Sequence, residues 1–205
     1  MRVAKIIRTG VANVASVLAS LHRLGLETEL SEKPEDVLSG DLVVLPGVGA
    51  FGAGAEALRE RKLDEAIRNR ILNGRPTLAV CLGLQLLFEQ SEESPGARGL
   101  GIFPGAVRRF SNAAKVPQLG WNRIDADPSC AALQSGYVYF ANSYCVTEAP
   151  KDAVAAVSDY GQKFIAGFEV GGLLACQFHP ELSGTLGEKM LGNWAAGFVG
   201  GSKKC

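Results

Sequence analysis

The sequence predicts an α/β fold with a mostly parallel central sheet, helices on both faces and an antiparallel β extension. Three observations carry this. Short and almost wholly apolar runs in the first hundred residues, such as Asp41-Leu42-Val43-Val44-Leu45, alternate with helical patterns. From about Gly99 the texture changes to closely spaced strand-like runs whose turns carry Gly, Pro, Asn or Asp. No Ser/Pro/Gly linker and no internal repeat separates the halves, so one domain over residues 1–205 is expected.

In chain order, residues 3–7 are short and apolar and read as a strand. Val14, Val17, Leu18, Leu21 and Leu24 follow at helical spacing until Gly25 closes the pattern. Residues 28–30 make a weak strand and 41–45 a strong one. Pro46 and a glycine loop then lead into a helical stretch from about 53 to 72, with a break near Lys62 and an end at Asn73-Gly74. A fourth strand, 76–80, runs into Cys81 and a helix through Leu86, Leu87 and Phe88. The second half reads as strands at 106–110, 122–124, 137–140, 153–157, 163–169 and 173–178, with a closing helix from about 185 to 199.

Composition excludes several classes. The 21 Lys+Arg balance 21 Asp+Glu, and the arginines of residues 59–75 are interleaved with Glu60, Asp64 and Glu65, so nucleic acid is not an expected partner. Residues 1–24 hold no long apolar stretch with a cleavage site, and no segment approaches the roughly eighteen apolar residues that span a bilayer. A cytoplasmic chain without membrane contact is expected. Cysteines 81, 130, 145, 176 and 205 are odd in number, form no C-x-x-C pair and do not cluster with His22 or His179. Neither a disulfide framework nor a metal site is expected, and nothing calls for a cofactor.

Three segments carry candidate chemistry. Pro46-Gly47-Val48-Gly49-Ala50-Phe51-Gly52 contains G-x-G-x-x-G between a strand and a helix. A dinucleotide site needs an acidic residue at the end of the next strand, and that strand ends in a thiol instead. No Lys-Ser/Thr follows the last glycine, which excludes a Walker loop. The segment therefore reads either as a tight turn or as a loop whose bare N–H groups stabilise an anion. Ala79-Val80-Cys81-Leu82-Gly83 has the layout of a nucleophile elbow: small residues at 79 and 83 allow strand and helix to pack around a sharply turned Cys81. The helix start favours thiolate, and the Leu82 N–H is placed to meet an oxyanion. Considered alone, the same five residues also suit a buried core cysteine. A nucleophile needs a base, and His22 lies in an amphipathic helix, which leaves His179. Pro180 keeps the chain extended there, so Glu181 points to the same side and can orient the imidazole; considered alone, these residues suit a strand-end histidine beside a solvated glutamate at least as well. All of these fall at strand ends, the edge where open α/β sheets form sites.

With these residues in view, the chain resembles the class I (triad) glutamine amidotransferases, whose fold is flavodoxin-like. Residues 45–52 are similar to the family's oxyanion loop, Val80-Cys81-Leu82-Gly83-Leu84-Gln85-Leu86-Leu87 to its nucleophile segment, and Gln177-Phe178-His179-Pro180-Glu181 to its base segment. Val116-Pro117-Gln118-Leu119-Gly120-Trp121-Asn122 and Tyr139-Phe140-Ala141-Asn142-Ser143-Tyr144 resemble segments of the branch that supplies ammonia for imidazole glycerol phosphate synthesis in histidine biosynthesis. The resemblance implies that Cys81 attacks the side-chain amide of L-glutamine, His179 shuttles the proton and Glu181 holds His179. It implies oxyanion donors at Gly47, Val48, Gly49 and Leu82, and contacts to the substrate's α-amino and α-carboxylate groups from Gly49, Gln85, Ser143 and Tyr144. Asn13, Trp121 and Asn122 would face a separate (β/α)8 cyclase subunit in a heterodimer. A barrel of some 250 residues does not fit within 205.

Several positions depart from the family pattern. Residues 8–13 read Arg-Thr-Gly-Val-Ala-Asn where Asp-Tyr-Gly and then Gly-Asn are common. Ala79 replaces a glycine, Asn142 a histidine and Leu182 a lysine. None removes a triad member. A non-catalytic or regulatory subunit on the same scaffold, and a glutaminase serving a different synthase, stay open at this stage.

Overall fold

The computed structural model describes residues 2–8, 14–111 and 115–197. β1 (Val3–Ile7), α1 (Ala15–Arg23) and β2 (Glu27–Ser31) follow the expected order. A short helix that the periodicity did not announce, α2 (Pro34–Ser39), comes next, with Pro34 in its first turn, where the missing N–H costs nothing. β3 (Leu42–Leu45) leads to α3 (Phe51–Glu60) and α4 (Leu63–Leu72). The break expected near Lys62 is real: Lys62 has φ +55, a left-handed conformation that ends one helix and starts the other.

β4 (Thr77–Val80) runs into α5 (Leu82–Leu86). The expected continuation of that helix through Phe88 does not occur; Phe88 opens β5 (Phe88–Ser91) and sits against Phe103 and Phe168, so aromatic packing overrides the local helical pattern. The strand-built half comprises β6 (Phe103–Arg109), β7 (Gln118–Ala126), β8 (Gly136–Asn142), β9 (Tyr144–Cys145), β10 (Val154–Asp159), β11 (Lys163–Val170) and β12 (Leu173–Cys176). A 3-10 turn, Pro180–Leu182, and α6 (Gly184–Ala195) complete the described chain. The last residues of the expected closing helix, 198–199, lie outside the described residues.

The main sheet has nine strands in the order β2-β1-β3-β4-β12-β11-β10-β7-β8. The five from β2 to β12 run parallel, and every later pairing is antiparallel. β5, β6 and β9 form a separate small sheet. Successive residues of the central strands feed two cores. Leu42, Val44, Leu78, Val80, Leu174 and Cys176 pack on the face that holds Leu21 and Trp194. Val43, Leu45, Ala79, Leu173 and Ala175 pack on the face that holds Leu58, Ile67 and Leu84. Period-two alternation between two apolar faces is why these strands read as unbroken apolar runs.

Arg70 of α4 is 1% exposed and ties the sheet's entry turns together. It donates to the carbonyls of Val37, Gly40, Asp41 and Pro76 and to Thr77 Oγ1, flanking the starts of β3 and β4. Burial pulls its pKa down to about 10, helped by the charge of Arg75 and opposed by Asp41. Arg70→Met removes these bonds, although the Pro76 carbonyl keeps the Val43 N–H and the Gly40 carbonyl keeps Arg75, and is expected to cost about 3 kcal/mol in a urea titration. A loss below about 1 kcal/mol would show that water replaces the guanidinium.

Candidate active site

The carboxyl ends of three adjacent strands converge. β3 delivers the glycine loop, β4 delivers Cys81 and β12 delivers Gln177 to His179, because β4 lies between β3 and β12 with Leu45 opposite Ala79 and Val80 opposite Cys176. The Cys81 N–H donates to the Cys176 carbonyl at 2.7 Å, locking the nucleophile and base segments side by side.

Cys81 sits at φ +53, ψ −107, a strained conformation for a residue with a Cβ, and its side chain is nearly buried. The turn requires Gly83: a Cβ there would stand 2.1 Å from the Leu45 carbonyl oxygen. The glycine loop is held equally close, since a Cβ on Gly47 would meet Leu82 Cβ at 2.6 Å. Gly49 has φ +103. Glu93 Oε2 accepts the Phe51 N–H at 2.7 Å and Ser94 Oγ the Gly52 N–H at 3.0 Å, so side chains from beyond β5 cap the start of α3.

His179 has extended backbone, as Pro180 requires, but residues 180–182 close into a 3-10 turn instead of continuing extended. That corrects the route by which Glu181 was expected to reach the imidazole, while the contact itself forms: Glu181 Oε1 lies 2.8 Å from His179 Nδ1. The carboxylate can only accept, so Nδ1 carries the proton and Nε2 is left for the Cys81 sulfur. Ser183 braces the turn by donating to the His179 carbonyl and accepting the Tyr139 N–H. Burial pushes the imidazole's pKa down, and hydrogen bonds and charge from Cys81 and Glu181 more than offset it, raising it to about 10. The protonated ring therefore contributes stability in full below its ordinary value of 6.5, and loses it as pH rises through about 10.

One expected donor is engaged elsewhere. The Leu82 N–H, assigned to the oxyanion, points at the Gly47 carbonyl at 3.3 Å. In this conformation it is not available to a substrate, because the loop that was to share the task covers it. Cys81, Gly49, Gln85, Ser143 and Tyr144 line one cleft of about 340 Å3 with His179, within the range of small-molecule sites. Glu93, Ala141 and Asn142 line it too; sequence reasoning assigned none of them a site role, although Ala141 and Asn142 lie in a family-like segment. An acidic pair at 92–93 reads as a solvated turn, and only the fold turns Glu93 inward. Asn142 Oδ1 is buried with no protein partner. A second cleft lies across His179 and is lined by Gly47, Val48, Glu181 and Leu182.

Of the residues expected to face a partner, Trp121 is 57% exposed and stacks edge-on to Tyr139. Asn122 falls on the opposite side of the strand and donates to the Asp159 carbonyl. Asn13 lies outside the described residues. The other cysteines within the described residues are not poised for chemistry. Burial pushes the thiols of Cys130 and Cys145 up to about 12, with Glu169 and Asp127 adding to the rise at Cys130, and burial likewise raises that of Cys176. No group of three or more candidate metal ligands occurs among the described residues.

A family model described as glutamine amidotransferase class-I matches residues 6–196. Imidazole glycerol phosphate synthase subunit HisH of Symbiobacterium thermophilum is 40% identical over 193 residues, spanning 92% of this chain and 91% of that one. HisH of Chlorobaculum tepidum is 40% identical over 192 residues, spanning 91% and 96%. Among solved structures, PurLQS from Thermotoga maritima matches with a TM-score of 0.73 at 20% identity, covering 95% of this chain and 98% of its own, which speaks to fold alone. With a family model covering nearly its whole length and relatives this similar end to end, the chain belongs to the class I glutamine amidotransferases.

Proposed function

We propose that this chain is the glutamine-hydrolysing subunit of an imidazole glycerol phosphate synthase, working as a single domain over residues 1–205 and passing ammonia to a (β/α)8 cyclase partner in a heterodimer. The observation that carries the chemistry is the joining of Cys81, His179 and Glu181 at one rim of the sheet. The Cys81 thiolate adds to the side-chain amide carbon of glutamine. The His179 imidazolium then protonates the leaving nitrogen, ammonia departs and a thioester remains. Water attacks the thioester, His179 takes its proton, and glutamate leaves with the thiolate restored. Glu181 holds the ring in the tautomer both steps need. Glu93 and Asn142 Oδ1 supply acceptors for the substrate's α-ammonium.

Because the Gly47 carbonyl occupies the Leu82 N–H, the oxyanion site is complete only after the loop peptide turns. The isolated chain is therefore expected to be slow, and docking to accelerate it. Leu119, Trp121, Tyr137 and Leu182 present exposed apolar surface beside the base segment, a suitable face for the barrel. The test is glutamate release from glutamine with and without the cyclase, and with a Trp121→Ala chain whose docking should weaken by about 2 kcal/mol. A chain that forms the complex yet releases no glutamate would favour the non-catalytic subunit. One that hydrolyses glutamine but co-purifies with another synthase would reassign the ammonia.

The charge state of His179 makes a further expectation. Turnover needs the imidazolium as the acid for departing ammonia, so kcat/KM should hold from neutral pH to about 9 and fall as the ring deprotonates near 10. A fall centred near pH 7 would contradict the raised value.

A further inference from the structure

We propose that Gln177 is a catalytic group of the thiol chemistry: its amide N–H donates to Cys81 Sγ, and Gln85 sets the sense of that amide from the Tyr144 carbonyl. The role rests on the glutaminase reading of Cys81 and adds to it a second donor at the sulfur, besides the imidazole.

Gln177 Nε2 stands 3.7 Å from Cys81 Sγ, and the residue has no exposed surface. A glutamine amide can face either way, and the wrong sense would aim a carbonyl oxygen at a thiolate. The surrounding network removes the choice. A backbone carbonyl can only accept, so the Tyr144 carbonyl requires Gln85 to present its nitrogen, at 3.2 Å. The second hydrogen of that nitrogen goes to Gln177 Oε1 at 3.0 Å. With its oxygen committed, Gln177 has only N–H to offer the sulfur. Asn142 Nδ2 donates to the same Tyr144 carbonyl at 3.0 Å, keeping that anchor in place.

The backbone fixes the reach. Cys176 sits opposite Val80, its carbonyl takes the Cys81 N–H, and the Gln177 N–H donates to the Ala166 carbonyl, so the amide cannot drift from the nucleophile. Both glutamines are shielded from water, which strengthens an N–H aimed at an anion. The arrangement also revises the role implied for Gln85. Its nitrogen is spent on the scaffold, and only its oxygen remains for substrate.

Iodoacetamide alkylation of Cys81 as a function of pH reads the contact without any need for glutamine turnover, with peptide mapping separating Cys81 from the other cysteines. In Gln177→Met the pH of half-maximal alkylation rate should rise by about one unit, the tenfold loss of thiolate expected when one charge-assisted hydrogen bond is removed. Gln85→Met should shift it in the same direction by less, because Gln177 is then free to turn. With the cyclase present, kcat of Gln177→Met should fall about tenfold with KM changed less than twofold. A folded Gln177→Met chain with an unchanged alkylation profile overturns the proposal.

If that variant does not fold, side-chain 15N labelling of glutamine in the wild-type chain decides: the Gln177 amide signals should move with the same pH midpoint as Cys81 alkylation, and signals flat across it refute the contact. Wild-type protein that alkylates as expected but releases no glutamate would sink the glutaminase reading while leaving this contact standing. Normal turnover with an unmoved profile sinks the contact alone.

Discussion

Replacing Cys81 with alanine is expected to lower glutamate release by at least about 10^4-fold in the cyclase complex while leaving the fold in place, since no other described thiol faces the cleft. Cys81→Gly should be equally inactive yet more stable than Cys81→Ala by about 1 kcal/mol. The reason is the backbone: at φ +53, ψ −107 any Cβ is strained by about 1–3 kcal/mol, and glycine relieves this at an entropic cost of about 0.5–1 kcal/mol. Urea titration of the two variants measures the difference. Residual turnover in Cys81→Ala would remove the nucleophile, and a glycine variant less stable than the alanine one would mean that the elbow carries no strain.

Gly83→Ala is expected to cost about 3 kcal/mol or more and to reduce turnover with it. The added methyl would lie 2.1 Å from the Leu45 carbonyl oxygen, a backbone atom of β3 that cannot swing aside, so β3 and α5 must separate and carry Cys81 away from His179. Gly192→Ala is the control. Gly192 lies in α6, where a Cβ would meet only Leu24 Cδ2 at an ordinary 3.7 Å, and the same chemical change should stabilise by about 0.5–1 kcal/mol. Equal effects at the two sites would show that helix propensity, and not close approach, decides both.

Much of the fold was legible because parallel strands buried on both faces leave continuous apolar runs, and 42–45, 78–80 and 173–176 all have that form. Lys62 as a break and Gly25 as a stop were readable for the same local reasons. What escaped was decided at a distance. α2 is only six residues long and carries too few turns to show periodicity. Phe88 left a helix for a strand because of Phe103 and Phe168, far along the chain. Glu93 entered the cleft because its carboxylate caps α3. Leu82 lost its expected freedom to a carbonyl from another strand's loop.

By itself, the sequence determined which groups the chain brings to the chemistry: one sharply turned thiol between small residues, one histidine followed by Pro-Glu, and one loop of nearly bare backbone. Those are local properties, written in residue type and spacing. Only the tertiary structure decided that they meet, because strand order is set by which apolar faces pack together and leaves no mark in either strand alone. Here β12, from the far end of the chain, pairs with β4, and that pairing brings the sulfur, the imidazole and the Gln177 amide together.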